Sequence, residues 1–439
     1  MSTIDANPPS GSRDFLPADV ARRDRAFAAI REVFARHGFD PLDTPAFERL
    51  EVLTGKYGEE GDQLIFKILR RGEHEASGEA DLALRYDLTV PLARVAARYG
   101  SQLPTPFKRY HIAPVWRADR PGKGRYREFF QCDVDTVGSD SLVADAATIA
   151  AVADVLDQLG LAGFRVQVNA RPALAGLIEA YGVPDALEGS ALVALDKLDK
   201  VGVDGVAAEL SDRGIPAGAI AALTGDLGSD DLEGAVRERL ATTNLGAAGL
   251  AQVDRVLELV GDVPGGELAY APVLARGLSY YTGPVFEVVH AGLDATIAAG
   301  GRYDGLIGMF QAQDVPATGG SLGLERILLL LEQAEDAAVR SGPDVLVTVM
   351  DDDGAADALA LAQRLRSHGL ATDVYAGGGR AKLGKQLRYA DRRGVRVALI
   401  RGDEERAAGT VAVKDLTSGD QTTVAEADLP AHLLRLLHP

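Results

Sequence analysis

The stretch FKRYHIAPVWRADRPGKGRYREFFQCDVD, Phe107 to Asp135, decides how the rest of the chain is read. Residues 107–117 and 127–138 read as two strands. The segment ADRPGKGRY between them is polar and rich in Gly and basic residues, which predicts a long antiparallel hairpin. Arg117 ends the first strand, and Arg120, Lys123 and Arg125 fall in the loop. The returning strand carries Phe129, Gln131, Asp133 and Asp135 at alternate positions, and therefore on one face. Guanidinium, an aromatic plane and carboxylates on one hairpin surface suit a nucleotide joined to an amine. Arginine forks bind phosphate oxygens bidentately, and a ring can stack on a base.

Working outward, Pro17 and Ala18 open a helix with Phe27, Ile30 and Phe34 on one face, and Gly38 stops it. Asp81–Tyr86 alternates in the β manner, and Pro91 sits in the first turn of a helix that reaches Tyr99. Beyond the hairpin, a strand set is expected from Tyr270 through RGLSYYTGPVFEVV, with its partner near Thr296–Ala299. A helix from Gly323 to Gln333 follows. Between Pro184 and Asp262 aromatic residues vanish and Ala, Leu, Gly and Asp recur at helical spacing. That texture predicts a helical domain, residues 184–262, inserted into a strand-rich body of residues 1–183 and 263–335. From Pro343 strands alternate with helices, predicting a small α/β domain over residues 343–439.

The chain has 439 residues, too many for one core, with 46% hydrophobic and 25% charged positions. A net charge of −18 argues against a general nucleic-acid coat protein, but not against phosphate bound at a local patch. Cys132 is the single cysteine, so no internal disulfide and no cysteine-built zinc site can form. MSTIDANPPSGSRDF lacks the pattern of a secretory signal, and apolar runs such as Ile327–Leu331 are too short to span a bilayer. A cytoplasmic protein without membrane contact is expected.

Two short motifs invite other readings. Gly319-Gly320-Ser321-Leu322-Gly323 matches the GxSxG nucleophile elbow of hydrolases, but QAQDVPAT before it does not read as the buried strand the elbow needs. A Gly-rich turn into a packed helix is the plainer expectation. Residues 379–386 approach a P-loop, but Gln386 stands where Ser or Thr should hold magnesium. The basic residues there, Arg380, Lys382, Lys385, Arg388, Arg392, Arg393 and Arg396, with only Asp391 opposing, suit RNA phosphates better; a merely solvated helix face is the alternative.

Three arginine-bearing segments stand apart: the hairpin, Arg276-Gly-Leu-Ser-Tyr280-Tyr281-Thr-Gly, and Gly323-Leu-Glu325-Arg326. With these residues the chain resembles the histidyl-tRNA synthetases, a class II aminoacyl-tRNA synthetase family, from about Pro9 to the C-terminus. Pro45 in TPAFE resembles the motif 1 proline of the dimer interface, WRADRPGKGRYREFFQCDVD motif 2, and GLERILLL motif 3. RGLSYYTG and GGRYDG (Gly300–Gly305) resemble the two histidine-specific signatures. KLGKQLRYADRRG and GTVAVKDL resemble the anticodon-binding domain.

The resemblance implies an α+β catalytic domain on a mixed, mainly antiparallel sheet, a helical insertion and a C-terminal α/β anticodon-binding domain. It implies ATP-dependent activation of L-histidine and transfer to tRNA(His) by a homodimer, with Mg2+ accompanying ATP. Arg117 would hold the histidine carboxylate and the α-phosphate together. Phe129 would stack on adenine, Arg125 with Asp119 would line the ATP pocket, and Arg326 would clamp the distal phosphates. Asp87, Thr89 and Gln131 would receive the α-ammonium. Asp135 and Tyr281 would bracket the imidazole, with Tyr280 and Tyr303 shaping its pocket. Arg276 would stabilise charge as the carboxylate attacks. Arg380, Lys382, Lys385 and Arg388 would face tRNA. A metal ligand is not assigned.

Ser279 stands where many members have Asp, which removes a carboxylate from the signature. RYDLT (Arg85–Thr89) replaces a common bacterial RPEGT, and Asp135 replaces Glu, as in a eukaryote-like branch. A non-catalytic paralogue, the regulatory subunit of histidine biosynthesis, is the nearest rival. That group lacks the C-terminal domain, whereas here the domain and the arginines at 117, 276 and 326 are all present.

Overall fold

The computed structural model describes residues 4–72, 77–275, 280–334, 342–351, 354–377 and 382–437. The chain divides into two compact units, Met1–Asp14 with Arg23–Asp336, and Phe15–Arg22 with Ala337–Pro439.

An eight-stranded mixed sheet frames the first unit. Its strands are β1 (Asp40–Pro41), β2 (Phe107–Trp116), β3 (Glu128–Val137) and β4 (Phe164–Ala170), then β5 (Gly266–Tyr270), β6 (Pro284–His290), β7 (Leu293–Arg302) and β8 (Ala317–Gly323). They lie in the order β1-β2-β3-β8-β7-β6-β4-β5. The β1–β2 and β4–β5 pairs are parallel and the others antiparallel, so the sheet is mixed and mainly antiparallel, as expected. The hairpin β2–β3 forms with Val115 opposite Phe129 and Arg109 opposite Asp135.

Alternation sorts the two faces. Phe130, Cys132 and Val134 point to one side, where they meet Phe27, Ile30 and Phe34 of α1 (Pro17–Arg36). Ile149, Val152 and Leu156, from the helix Leu142–Gln158, complete that layer with Leu324, Ile327 and Leu330 of the helix Leu324–Ala334. The opposite face carries Phe129, Gln131, Asp133 and Asp135. There the helix Thr89–Tyr99 and a three-stranded sheet (Phe47–Arg49, Lys67–Leu69, Ala80–Leu84) contribute to a smaller core containing Tyr86, Val90, Leu92 and Tyr303.

Two expectations need correction. Gly319–Gly323 is not a turn but part of β8, hydrogen-bonded to β3 on one side and β7 on the other. The strand expected to continue from Tyr270 stops there, because Pro272 has no N–H for a ladder and a turn closes with Leu274 N–H donating to Ala271 O at 3.1 Å. Pairing resumes at Pro284; residues 276–279 lie outside the described set.

Residues 188–260 form five helices, the last being Asn244–Val260. Their core joins Leu192, Leu195, Leu210 and Val236 to Leu174 and Leu177 of the preceding helix Arg171–Ala180. Asn244–Val260 crosses that helix at backbone distance. A Cβ at Gly249 would overlap the backbone of Ala173, so only glycine permits this approach.

In the second unit, β9 (Val345–Val347), β10 (Thr372–Val374), β11 (Val397–Ile400), β12 (Thr410–Asp415) and β13 (Gln421–Ala425) lie in the order β10-β9-β11-β12-β13. The first three are mutually parallel. Gln386 is fully buried in the helix Leu383–Arg392. Its amide accepts from Val349 N at 2.9 Å and donates to Val349 O at 2.7 Å. That bond pair explains a glutamine where a P-loop needs a hydroxyl.

Gly249→Val is expected to cost at least about 1–3 kcal/mol, the usual penalty of overpacking, read as a lower urea midpoint. Gly218→Ala, on the helix Ala217–Leu227 where a Cβ meets open space, should leave the midpoint unchanged or raise it. Equal behaviour of the two variants contradicts the tight crossing.

Candidate active site

The register between β3 and β8 sets Gln131 opposite Gly323, Asp133 opposite Ser321 and Asp135 opposite Gly319. On the far side of β8, Ser321 faces Ala299 and Gly319 faces Gly301 of β7. Small residues at the sheet centre thus leave a hollow floored by backbone and walled by the hairpin. A Cβ at Gly319 would overlap the Asp135 carboxylate.

Two cavities open on this face. The larger, about 350 Å3, is lined by Arg117, Asp119, Arg125, Phe129, Gln131 and Arg326, among others. The smaller, about 220 Å3, is lined by Asp87, Thr89, Arg117, Gln131, Asp135 and Tyr303, and also by Tyr280 and Tyr281. Arg117, Gln131, Ala299 and Ser321 border both, so the two form one continuous site with Arg117 at the junction.

Every described residue expected in the ATP and histidine sites is brought to this pair of cavities. Arg276 lies outside the described residues, as does Arg380 of the basic cluster. Lys382, Lys385 and Arg388 are exposed in the second unit. Two other members of that cluster are engaged rather than opposed by Asp391 alone: Arg393 reaches Asp373 at 3.9 Å and Arg396 reaches Asp415 at 3.8 Å.

In the larger cavity, Arg117 donates through Nε to Tyr86 O at 3.1 Å, and its guanidinium lies over the rings of Tyr86 (4.3 Å) and Phe129 (5.2 Å). The terminal nitrogens are left as its donors toward a ligand. Arg125 pairs with Asp119 at 2.6 Å across the hairpin loop. Arg326, in the first turn of its helix, donates to Thr296 O and so is drawn toward β7. Both oxygens of buried Glu325 accept from Phe130 N–H at 3.1 Å, tying that helix to β3. Burial raises the Glu325 pKa.

The smaller cavity is dominated by buried carboxylates. Asp87 accepts from Tyr57 Oη at 3.1 Å and from Val90 N at 3.1 Å, so it also caps the helix Thr89–Tyr99. Asp135 meets the fully buried Arg109 at 2.8 Å and accepts from the Tyr303 hydroxyl. Burial raises the pKa of both groups. It pushes Asp133 up to about 7, with Asp135 and Asp87 adding repulsion and Arg109 opposing. Behind the sheet end, Arg302 of GGRYDG pairs with Asp145 at 2.5 Å and donates to Ser139 O at 2.9 Å, which fixes the chain at Tyr303. Such a site holds more negative than positive side chains within the small cavity and suits a cationic ligand.

Ser321 carries no nucleophile machinery. Its hydroxyl accepts from Gln131 Nε2 at 3.0 Å, and neither cavity is lined by a histidine. The elbow reading falls on this geometry.

The profile of histidyl-tRNA synthetase matches residues 11–327, and that of the anticodon binding domain matches residues 344–436. The chain belongs to the histidyl-tRNA synthetase family. A histidine–tRNA ligase of Gloeobacter violaceus is 40% identical, over 94% of this chain and 95% of its own length. Another, of Cytophaga hutchinsonii, is 39% identical, over 95% of this chain and 96% of its own. The crystal structure of histidyl-tRNA synthetase from Nostoc sp. PCC 7120 matches with a TM-score of 0.83 at 31% identity, covering 99% of this chain and 100% of that one. These relatives are bacterial, so the eukaryote-like branch read from RYDLT and Asp135 finds no support in them.

Sequence reading missed several residues that line or support these cavities. Tyr57 and Tyr86 carry no pattern that points to it. Arg109 shares one face of β2 with Phe107, Ala113 and Val115, a spacing that marks it as facing inward. Glu325 lay within the quoted GLER segment but received no role.

Arg109→Met should cost about 3–5 kcal/mol, because it leaves buried carboxylates without their cation. The sign with pH follows from Asp133. Its raised pKa means the folded protein binds a proton that the unfolded chain has released, and Arg109 is what opposes that rise, so the penalty of losing Arg109 grows as pH climbs through about 7 and is relieved as pH falls. The urea midpoint of Arg109→Met should therefore drop further below wild type at pH 8 than at pH 6. A pH-independent difference contradicts the charge argument.

Proposed function

We propose that this site is that of a histidine–tRNA ligase, with ATP in the larger cavity and L-histidine in the smaller one. The observation that carries the reading is the shared wall: Arg117 and Gln131 border both hollows, so a carboxylate and an α-phosphate can meet there. Phe129 takes the adenine ring, Arg125 and Asp119 line the nucleotide pocket, and Arg326 takes the distal phosphates. Asp87, Thr89 and Gln131 receive the α-ammonium. Asp135, held by Arg109 and Tyr303, faces the imidazole with Tyr281, and Tyr280 closes the pocket.

The chemistry needs positioning and charge more than proton transfer. The histidine carboxylate is already a nucleophile; it attacks the α-phosphate, a P–O bond to the departing pyrophosphate breaks, and histidyl-adenylate forms. Negative charge spreads over the phosphate oxygens, where preorganised guanidinium groups act. Arg117 supplies one, and the resemblance assigns Arg276 as the other. The terminal ribose hydroxyl of tRNA(His) then attacks the activated carbonyl and AMP leaves. A site that pairs the ring nitrogens rejects other amino acids by leaving its buried groups unpaired, worth roughly 10⁴–10⁵ without editing.

Magnesium enters as the MgATP complex. Among the described residues no cluster of three His, Cys, Asp or Glu side chains is arranged to hold a metal. Residues 184–262 are taken as the inserted domain and 343–439 as the anticodon-binding domain, leaving 1–183 with 263–335 as the catalytic body. Dimerisation through the Pro45 region is supported by an exposed edge there: Phe47 is 52% exposed, while buried Arg85 anchors the backbone by donating to Thr44 O at 2.7 Å. No helix among the described residues is long and apolar enough to cross a membrane, and cytoplasmic action on tRNA is part of the proposal.

Histidine-dependent ATP–pyrophosphate exchange tests the reading. Exchange is expected in the wild type, and Arg276→Ala should cut it by at least roughly 10²-fold, the scale of losing a key charge stabiliser. Near-normal exchange in that variant removes Arg276 from the mechanism; no exchange in the wild type removes the ligase reading.

Charge reversal at Lys385 and Arg388 should weaken tRNA charging while sparing exchange, with binding that weakens as salt rises. Equal damage to both steps makes this helix structural.

A further inference from the structure

Three carboxylates face the smaller cavity, and their pairing differs. Asp135 has Arg109 and the Tyr303 hydroxyl, and Asp87 has the Tyr57 hydroxyl and Val90 N–H. Asp133 is 1% exposed, yet its Oδ1 has no hydrogen-bond partner. The neighbouring residue on the same face repeats the pattern: Gln131 gives its Nε2 to Ser321, while its Oε1 is buried without a donor. Buried acceptors left unpaired are destabilising, more so when charged, so a pair of them side by side calls for a ligand donor.

The chemistry of that donor is constrained. Residues two apart on a strand stand about 6.5–7 Å apart along it, so both side chains can converge on one small group between them. That group must offer more than one N–H, in different directions, and should be cationic to offset the carboxylate. A neutral imidazole offers a single N–H and an imidazolium two, pointing apart in the plane of the ring. An ammonium offers three, arranged tetrahedrally. Gln131 borders both cavities and Asp133 only the smaller, so the group lies just inside the amino-acid side of the junction marked by Arg117.

We propose that Asp133, together with Gln131, forms the seat of the substrate ammonium, making Asp133 an additional specificity-determining residue for the amino acid. This rests on the smaller cavity being the amino-acid site. Asp133 is directly opposite Ser321 in the ladder, and the Ser321 hydroxyl steadies its charged form. Cation binding satisfies both orphaned acceptors at once, and a carboxylic acid without an amine leaves them bare.

The test uses two fragments of the substrate. Histidinol keeps ring and ammonium but lacks the carboxylate; imidazolepropionate keeps ring and carboxylate but lacks the ammonium. In Asp133→Asn, calorimetric Kd for histidinol should rise at least about tenfold, the scale of one charged hydrogen bond. Kd for imidazolepropionate should change less than about twofold, and KM for ATP in exchange should stay at the wild-type value. Asp133→Ser, with a smaller acceptor, should show the same split and guards against a folding defect particular to one variant. Unchanged histidinol binding, or equal weakening of both fragments, overturns the proposal. Failure of the wild type to bind histidinol overturns instead the assignment of the cavity on which the proposal rests.

Discussion

The ladder between Glu128–Val137 and Ala317–Gly323 is the constraint on which the site depends. Its register sets glycine against Asp135 and serine against Asp133, and those small partners leave room for carboxylates to stand upright over the sheet. A slip by one residue would exchange Phe129, Gln131, Asp133 and Asp135 for Phe130, Cys132 and Val134, the residues that now meet the helices. The apolar set therefore locks the polar set in place: burial of Cys132 and Val134 is what aims Asp133 and Asp135 at the cavity. Stability on one face and chemistry on the other come from one alternating sequence.

Holding charge in that position requires compensation elsewhere. Arg109 is fully buried and meets Asp135, while Arg302 and Asp145 form a second buried pair at the neighbouring strand end. Buried ion pairs contribute little net stability against apolar replacements, but they fix geometry. Here they keep Asp135 and Tyr303 in one arrangement before any ligand arrives, which is how a site avoids reorganising during reaction. Asp87 adds a further economy, since the carboxylate facing the cavity also caps the helix behind it.

Much of this was legible in the sequence because it is local. The hairpin from Phe107 to Asp135 announces itself by alternation around a Gly-rich basic loop, and the helix after Gly323 by its apolar spacing. What failed was non-local. Gly319–Gly323 looks like a turn because glycine usually marks one, and only pairing with residues nearly two hundred positions earlier turns it into a central strand. Gln386 looked like a defective P-loop, whereas its amide staples a helix to the backbone of Val349. The paired roles of Arg109, Tyr57 and Arg302 depend on partners that no spacing rule connects. Family resemblance named residues that periodicity alone could not gather, and the described ones line the two cavities.

The central claim is that one continuous hollow seats a nucleotide and an imidazole-bearing amino acid on either side of Arg117. A crystal structure with a non-hydrolysable histidyl-adenylate analogue tests it most directly. The account predicts the adenine against Phe129, the phosphate mimic at Arg117 and the imidazole beside Asp135 and Tyr281. An analogue bound with its ring away from Asp135, or its base away from Phe129, would contradict it.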